Sequence, residues 1–124
     1  MPLFLIAFLN TFTLALAVTH AIAFQGVWMY TLVYYAVNAI GDTLTTWWGL
    51  ARGYREANPL YARALALTPW GIFLVDLGKI SLLALTLPRL GLDPLTAYPV
   101  AFTIAGHGHL VGFLWNWGAL LERR

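Results

Sequence analysis

Residues 28–51 read Trp28-Met-Tyr-Thr31-Leu-Val-Tyr-Tyr35-Ala-Val-Asn38-Ala-Ile-Gly-Asp42-Thr-Leu-Thr45-Thr46-Trp-Trp-Gly49-Leu-Ala51. At about 100° per residue, Thr31, Tyr35, Asn38, Asp42, Thr45, Thr46 and Gly49 fall within about 60° either side of one direction. Most other positions are apolar, so the stretch predicts a helix with one continuous polar stripe. Such a stripe is turned toward neighbouring helices. Asp42 stands about nine residues from the C-terminal end, roughly 14 Å along the axis. In a lipid environment, an ionised carboxylate at that depth must be paired, hydrated or liganded, or else hold its proton. The stripe therefore serves either interhelical hydrogen bonding or a site of binding, transport or catalysis.

The rest of the chain has the same character. Of 124 residues, 60% are hydrophobic and only 10% charged, and the mean hydropathy of +0.73 lies outside the range of ordinary soluble domains. Apolar runs cover about 3–24, 28–51, 70–90 and 96–121. Each is about 20 residues or more, enough to cross a roughly 30 Å hydrocarbon layer as a helix. The expected fold is all-α: a single transmembrane domain over 1–124, built as an antiparallel four-transmembrane-helix bundle. The first run lacks a basic start and a clear cleavage site, so it reads as a retained helix and not as a signal peptide. There is no cysteine, which excludes disulfide and thiol chemistry, and a net charge of +2 is no nucleic-acid signature.

Charges and aromatic residues set the expected orientation. The connection 52–69 carries Arg52, Arg55, Glu56 and Arg63, and the tail ends Glu122-Arg123-Arg124. The positive-inside rule places both, and the N-terminus, on the cytoplasmic side of a prokaryotic cell membrane. Trp47, Trp48, Trp70, Trp115 and Trp117 fall near the inner ends of their helices, as interfacial tryptophans do. Within the connection, Asn58-Pro59 starts a short surface helix over about 60–67. Pro88 stops the third membrane helix.

The other helices add polar groups at compatible depths. Asp76 and Lys79 lie three residues apart on one face of the third helix. Lys79 pairs either with Asp76 or, across the bundle, with Asp42. Asn10 and Thr13 share a face of the first helix with Ala17, which fits a packing role, and His20 sits nearer its outer end. In the fourth helix Ala101, Ala105, Gly108 and Gly112 form a small-residue ridge for a neighbouring helix, in this chain, in a second copy or in a larger membrane partner. His109 and Asn116 flank that ridge, while His107 points about 160° away from His109.

The stretch from Asp42 through Thr45-Thr46, then Gly53, Glu56, Asn58 and Pro59, then Lys79, resembles a family of small, largely uncharacterised prokaryotic integral membrane proteins. Their pattern runs Asp-x-x-Thr-Thr, Gly-x-x-Glu-x-Asn-Pro and a lysine in the following helix. The resemblance covers about residues 38–80 and implies that Asp42, Glu56, Asn58 and Lys79 belong to one functional unit. It supplies no reaction.

Three function classes fit these residues. A metal-dependent membrane enzyme acting on a lipid or membrane-embedded substrate would use Asp42, Glu56, Lys79 and His109 as catalytic groups. Asn38, Thr45, Thr46, Asn58 and Asn116 would bind its substrate. Asp42, Asp76, His109 and His107 would hold a divalent metal such as zinc, since carboxylate and imidazole are its usual ligands. A small ion or proton transporter or channel subunit would use the same groups as a relay. An accessory subunit of a membrane complex would explain the small size and the ridge.

Overall fold

The structure is a computed structural model that describes residues 12, 15, 16, 19, 20, 23 and 28–122. The expected helix over 3–24, with Asn10 and Thr13, otherwise lies outside the described residues. The architecture is an all-α four-helix bundle: α1, Trp28–Ala51; α2, Pro59–Leu67; α3, Gly71–Thr86, running into a 3-10 turn over Leu87–Leu90; and α4, Pro94–Glu122.

Each boundary has a local cause. Gly53 takes the left-handed conformation (φ 86°) that closes α1, with the Tyr54 N–H donating back to the Gly49 carbonyl at 3.1 Å. Asn58 caps α2, its Oδ1 accepting from the N–H groups of Leu60 at 3.0 Å and Tyr61 at 3.5 Å, with Pro59 at the first helical position. Pro88 lacks the N–H that an α-helix would need there, and the chain tightens into the 3-10 turn ended by Gly91 at φ 99°. Gly71 lets α3 start directly against α2, because a Cβ there would collide with the Ala64 carbonyl.

The most extensive packing is between α1 and α4, with α3 laid against α4 and α2 against α3. Tyr35, Ala39, Ile80 and Ala101 form the apolar centre, with Phe73, Leu83, Phe102 and Ala105 around it. Gly106 brings α4 onto α1: a Cβ at that position would lie 2.7 Å from the Tyr34 ring and 3.2 Å from the Tyr35 Cα. The distribution of polarity is inverted relative to a soluble bundle. Thr31, Thr43, Thr45, Thr46, Asp76, Thr103 and His109 are buried, while Met29, Val33, Val37, Leu44, Leu77, Leu82 and Leu114 are exposed.

The expectation of four membrane-crossing helices needs correction. Among the described residues, one segment, Gly71–Leu90, is both long and apolar enough to cross a membrane. Helices α1 and α4 have the length, at 24 and 29 residues. Their composition falls short, because Asn38, Asp42 and the threonines of α1 and His107, His109 and Asn116 of α4 dilute the apolar residues.

The glycines of α4 give a direct check on this packing. Gly106→Ala should lower unfolding free energy by about 1–3 kcal/mol through overpacking against α1. Gly108, whose Cβ would meet nothing within 4 Å, should accept alanine with no loss, or gain up to about 1 kcal/mol from helix propensity. Thermal unfolding of both variants in detergent measures the difference; equal midpoints would remove the close approach at Gly106.

Candidate functional site

Helix spacing puts His109, Gly112 and Asn116 on one face of α4, at i, i+3 and i+7, opposite the polar stripe of α1. His109 is buried between two carboxylates. Its Nδ1 lies 2.7 Å from Asp42 Oδ2 and its Nε2 2.6 Å from Asp76 Oδ2. One imidazole thus joins α1, α3 and α4. Gly112 makes the room on the α1 side, since a Cβ there would stand 2.8 and 2.9 Å from the two Asp42 carboxylate oxygens. The Asn116 amide completes that end, with Nδ2 3.1 Å from Asp42 Oδ1, 3.1 Å from Thr46 Oγ1 and 3.3 Å from Thr45 Oγ1. Thr45 turns its own hydroxyl hydrogen to the carbonyls of Gly41 and Asp42, leaving a lone pair for the amide.

Asp76 accepts from two phenols besides the imidazole: the Tyr35 hydroxyl donates to Oδ2 at 2.7 Å and the Tyr61 hydroxyl to Oδ1 at 3.3 Å. Lys79 donates to the Tyr61 oxygen at 2.8 Å and holds its ammonium 4.4 Å above the Tyr61 ring. Neither expected pairing of Lys79 forms. Asp76 already accepts from three donors, and the Tyr61 hydroxyl, arriving from α2, links it to the lysine. Burial first, and then the Asp76 charge, push the Tyr61 phenol well above its ordinary pKa, so it stays protonated.

The proton count follows from the contacts. Two short N···O contacts need two protons among one imidazole and two carboxyl groups. Both carboxylates are surrounded by donors, which assigns those protons to the two ring nitrogens. The triad then carries −1, and Lys79, one hydroxyl away, brings the group to neutrality. A set of buried charges is tolerable only when compensated and hydrogen-bonded in this way.

The expected zinc site, with Asp42, Asp76, His109 and His107 as ligands, is overturned. Among the described residues, no group of three or more His, Cys, Asp or Glu side chains is placed to hold a metal ion. The physical reason lies in the imidazole: its two nitrogens point apart, and each is spent on a different carboxylate, so the three groups do not converge on one point. His107 belongs to another cluster, with Nε2 3.0 Å from His20 Nδ1, while His20 Nε2 lies 2.8 Å from the Tyr30 hydroxyl. The metal-dependent enzyme falls with the site, and no divalent cofactor is retained.

A cavity of about 630 Å³ lies beside this network. Asp42, Thr45, Thr46, Glu56, Asn58, Asp76, Lys79, His109 and Asn116 all line it. Glu56 reaches its edge while its Oε1 accepts from the Asn58 N–H at 2.9 Å, so the capped turn and the position over the cavity coexist. Asn38 does not join them; its amide donates to the Tyr34 carbonyl of its own helix at 2.9 Å. Two network members, Tyr35 and Tyr61, were not singled out as site residues from sequence. Tyr35 was legible as part of the stripe, two turns before Asp42. Nothing in the sequence distinguishes Tyr61 from other tyrosines, because its place depends on how α2 docks.

Removing the bridge should be far more damaging than trimming its edge. His109→Ala leaves the buried Asp76 carboxylate and the part-buried Asp42 carboxylate without the cation between them and should lower unfolding free energy by about 3–5 kcal/mol. Asn116→Ala should cost about 1 kcal/mol. Chemical denaturation in micelles compares them; a His109→Ala loss no larger than that of Asn116→Ala would deny the bridge its organising role.

No curated protein and no solved structure matches the chain. A family model described as a domain of unknown function (DUF5658) matches residues 33–115, well over half of the chain and a span that includes Asp42, Asp76, Lys79 and His109. The chain is a member of the DUF5658 family.

Proposed function

We propose that this chain is a small multi-pass protein of a prokaryotic cell membrane that carries protons, alone or coupled to an ion, as a transporter or channel subunit. One observation carries the reading: an unbroken line of exchangeable groups, Lys79–Tyr61–Asp76–His109–Asp42, runs from an exposed ammonium to the buried centre of the bundle. The donors on its first half share one sense, Lys79 to Tyr61 and Tyr61 to Asp76. When the imidazole is neutral and carries its single proton on Nδ1, a proton passed to Asp76 can move to the bare Nε2 of His109 as Nδ1 gives its own to Asp42. Tyr61 is held protonated, so it hands a proton on only as it receives one. Intramembrane chains of Asp, His and Lys are the usual material of such relays.

The inverted packing supports the membrane setting, since large apolar side chains face outward from α1, α3 and α4 while threonines, aspartate and histidine face inward. In this reading the positive-inside rule puts both termini and the connection bearing Arg52, Arg55 and Arg63 on the cytoplasmic side, with lipid around the bundle and no nucleic-acid partner. A second copy or larger partner would meet α4 at Gly108, the exposed member of the small-residue ridge; Ala101 is buried in the core and Gly112 is occupied by Asp42.

In liposomes loaded with a pH-sensitive dye, Asp76→Asn and His109→Gln should each reduce proton flux about tenfold or more, the scale on which positioned proton-transfer groups act. Tyr61→Phe, which keeps the ring under Lys79 and removes the hydroxyl, should do the same. Flux that survives all three substitutions would end the relay reading. Topology is testable separately because the chain has no native cysteine. Arg63→Cys and Glu122→Cys should react with an impermeant maleimide only from the cytoplasmic side, and Asp93→Cys only from outside; the reverse pattern would invert the orientation.

A further inference from the structure

The cavity is much larger than a proton path requires. A water occupies about 30 Å³ in the liquid, whereas pockets of roughly 300–1,000 Å³ hold organic ligands; this one is about 630 Å³. Its lining is of two kinds: the polar Asp42–His109–Asp76 network with Asn116, and apolar side chains that include Leu83 of α3 and Ile104, Val111 and Trp115 of α4. Lys79, Val111 and Trp115 are exposed, so that edge is open to the surroundings.

Lys79 decides the charge of the occupant. It stands eight residues into α3, about 12 Å along the axis. Among the described residues both ion pairs belong to His109, and no carboxylate lies within pairing distance of the ammonium. The Tyr61 hydroxyl takes one of its three N–H donors. The acids of the cavity are already engaged: Asp42 and Asp76 by His109, Asn116 and the two phenols, and Glu56 by the Asn58 N–H. Lys79 offsets the triad's charge only through the Tyr61 hydroxyl, which leaves two of its N–H donors for an acceptor in the cavity, and Arg55 adds a second positive charge to the lining beside Glu56. A charged side chain at membrane depth normally has a partner.

We infer that the cavity binds an amphiphile with an acyl chain and an anionic head, the head on Lys79 and the chain along Leu83, Ile104 and Val111. The inference rests on the membrane setting proposed above and is independent of proton movement. A fatty-acid carboxylate and a phosphatidate headgroup offer the same chemistry, and the test separates them.

The protein is placed in phosphatidylcholine nanodiscs and titrated with brominated stearate or brominated phosphatidic acid, reading quenching of Trp115 against a Trp115→Phe control. Saturable quenching by one or both is expected, and the tighter probe identifies the head. Lys79→Met should weaken binding about tenfold or more, as loss of a hydrogen bond to a charged group does, and Lys79→Arg should retain it. Val111→Phe, which narrows the apolar side without touching charge, should weaken both probes and serves if Lys79→Met fails to fold. Absence of saturable quenching, equal binding of brominated phosphatidylcholine or a brominated alkylamine, or undiminished binding to Lys79→Met would each overturn the site. Proton flux measured on the same preparation reports on the relay alone, so loss of one reading leaves the other standing.

Discussion

The placement of one imidazole between the carboxylates of Asp42 and Asp76 is the constraint on which the rest of this structure depends. Two carboxylates at that spacing repel strongly in a low-dielectric interior, and the repulsion becomes attraction only because His109 carries a proton toward each. The three groups come from three different helices, so satisfying the electrostatics also fixes the relative positions of α1, α3 and α4. The surrounding residues read as consequences. Gly112 is glycine because the Asp42 carboxylate fills the space a side chain would take. Tyr35, Tyr61 and Asn116 supply the donors that the remaining carboxylate lone pairs need.

In the proposed membrane setting this polar interior takes over the role that a hydrophobic core has in water. Lipid tails are as apolar as leucine, so burying leucine between helices gains little. Close backbone approach and interhelical hydrogen bonds supply the attraction instead. Small residues, Ala39, Ala101 and Gly106, accordingly sit at the helix contacts beside Tyr35 and Ile80, while many of the large aliphatic side chains face out.

How much of this could be read from the sequence depended on whether one helix or several decided the feature. The stripe on residues 28–51 was legible because spacing on a single helix fixes direction: Thr31, Tyr35, Thr45, Thr46 and Gly49 are buried, with Asp42 and Asn38 at the margin. Spacing likewise predicted that His107 and His109 face apart, and they occupy separate clusters. The metal reading failed at the next level. Donor types and depths were compatible with an ion, but the sequence does not state where the two nitrogens of an imidazole point. Length and overall apolarity suggested four spans, yet the polar residues that build the site are the same ones that hold α1 and α4 below the apolarity of a spanning helix.

Tyr61 shows why the remainder was hidden. It is the one member of the relay that does not come from a long helix, and its hydroxyl reaches Asp76 and Lys79 only because α2 is pinned beneath the bundle. The pins are dispersed: the Trp47 indole N–H on the Pro69 carbonyl at 2.8 Å, the Tyr54 hydroxyl on the Ala119 carbonyl at 3.1 Å, the Asn58 cap, and Gly71 flush against Ala64. Of these only the Asn58 cap falls within the Gly-x-x-Glu-x-Asn-Pro pattern, and each has an ordinary structural purpose. Together they place one phenol between an exposed cation and a buried anion, and so decide whether Lys79 and Asp76 communicate. The connection 52–69 is therefore more than a link between helices. In the proposed relay Tyr61 is the link that depends on α2, whereas the His109 bridge joins α1, α3 and α4 and contains no residue of α2.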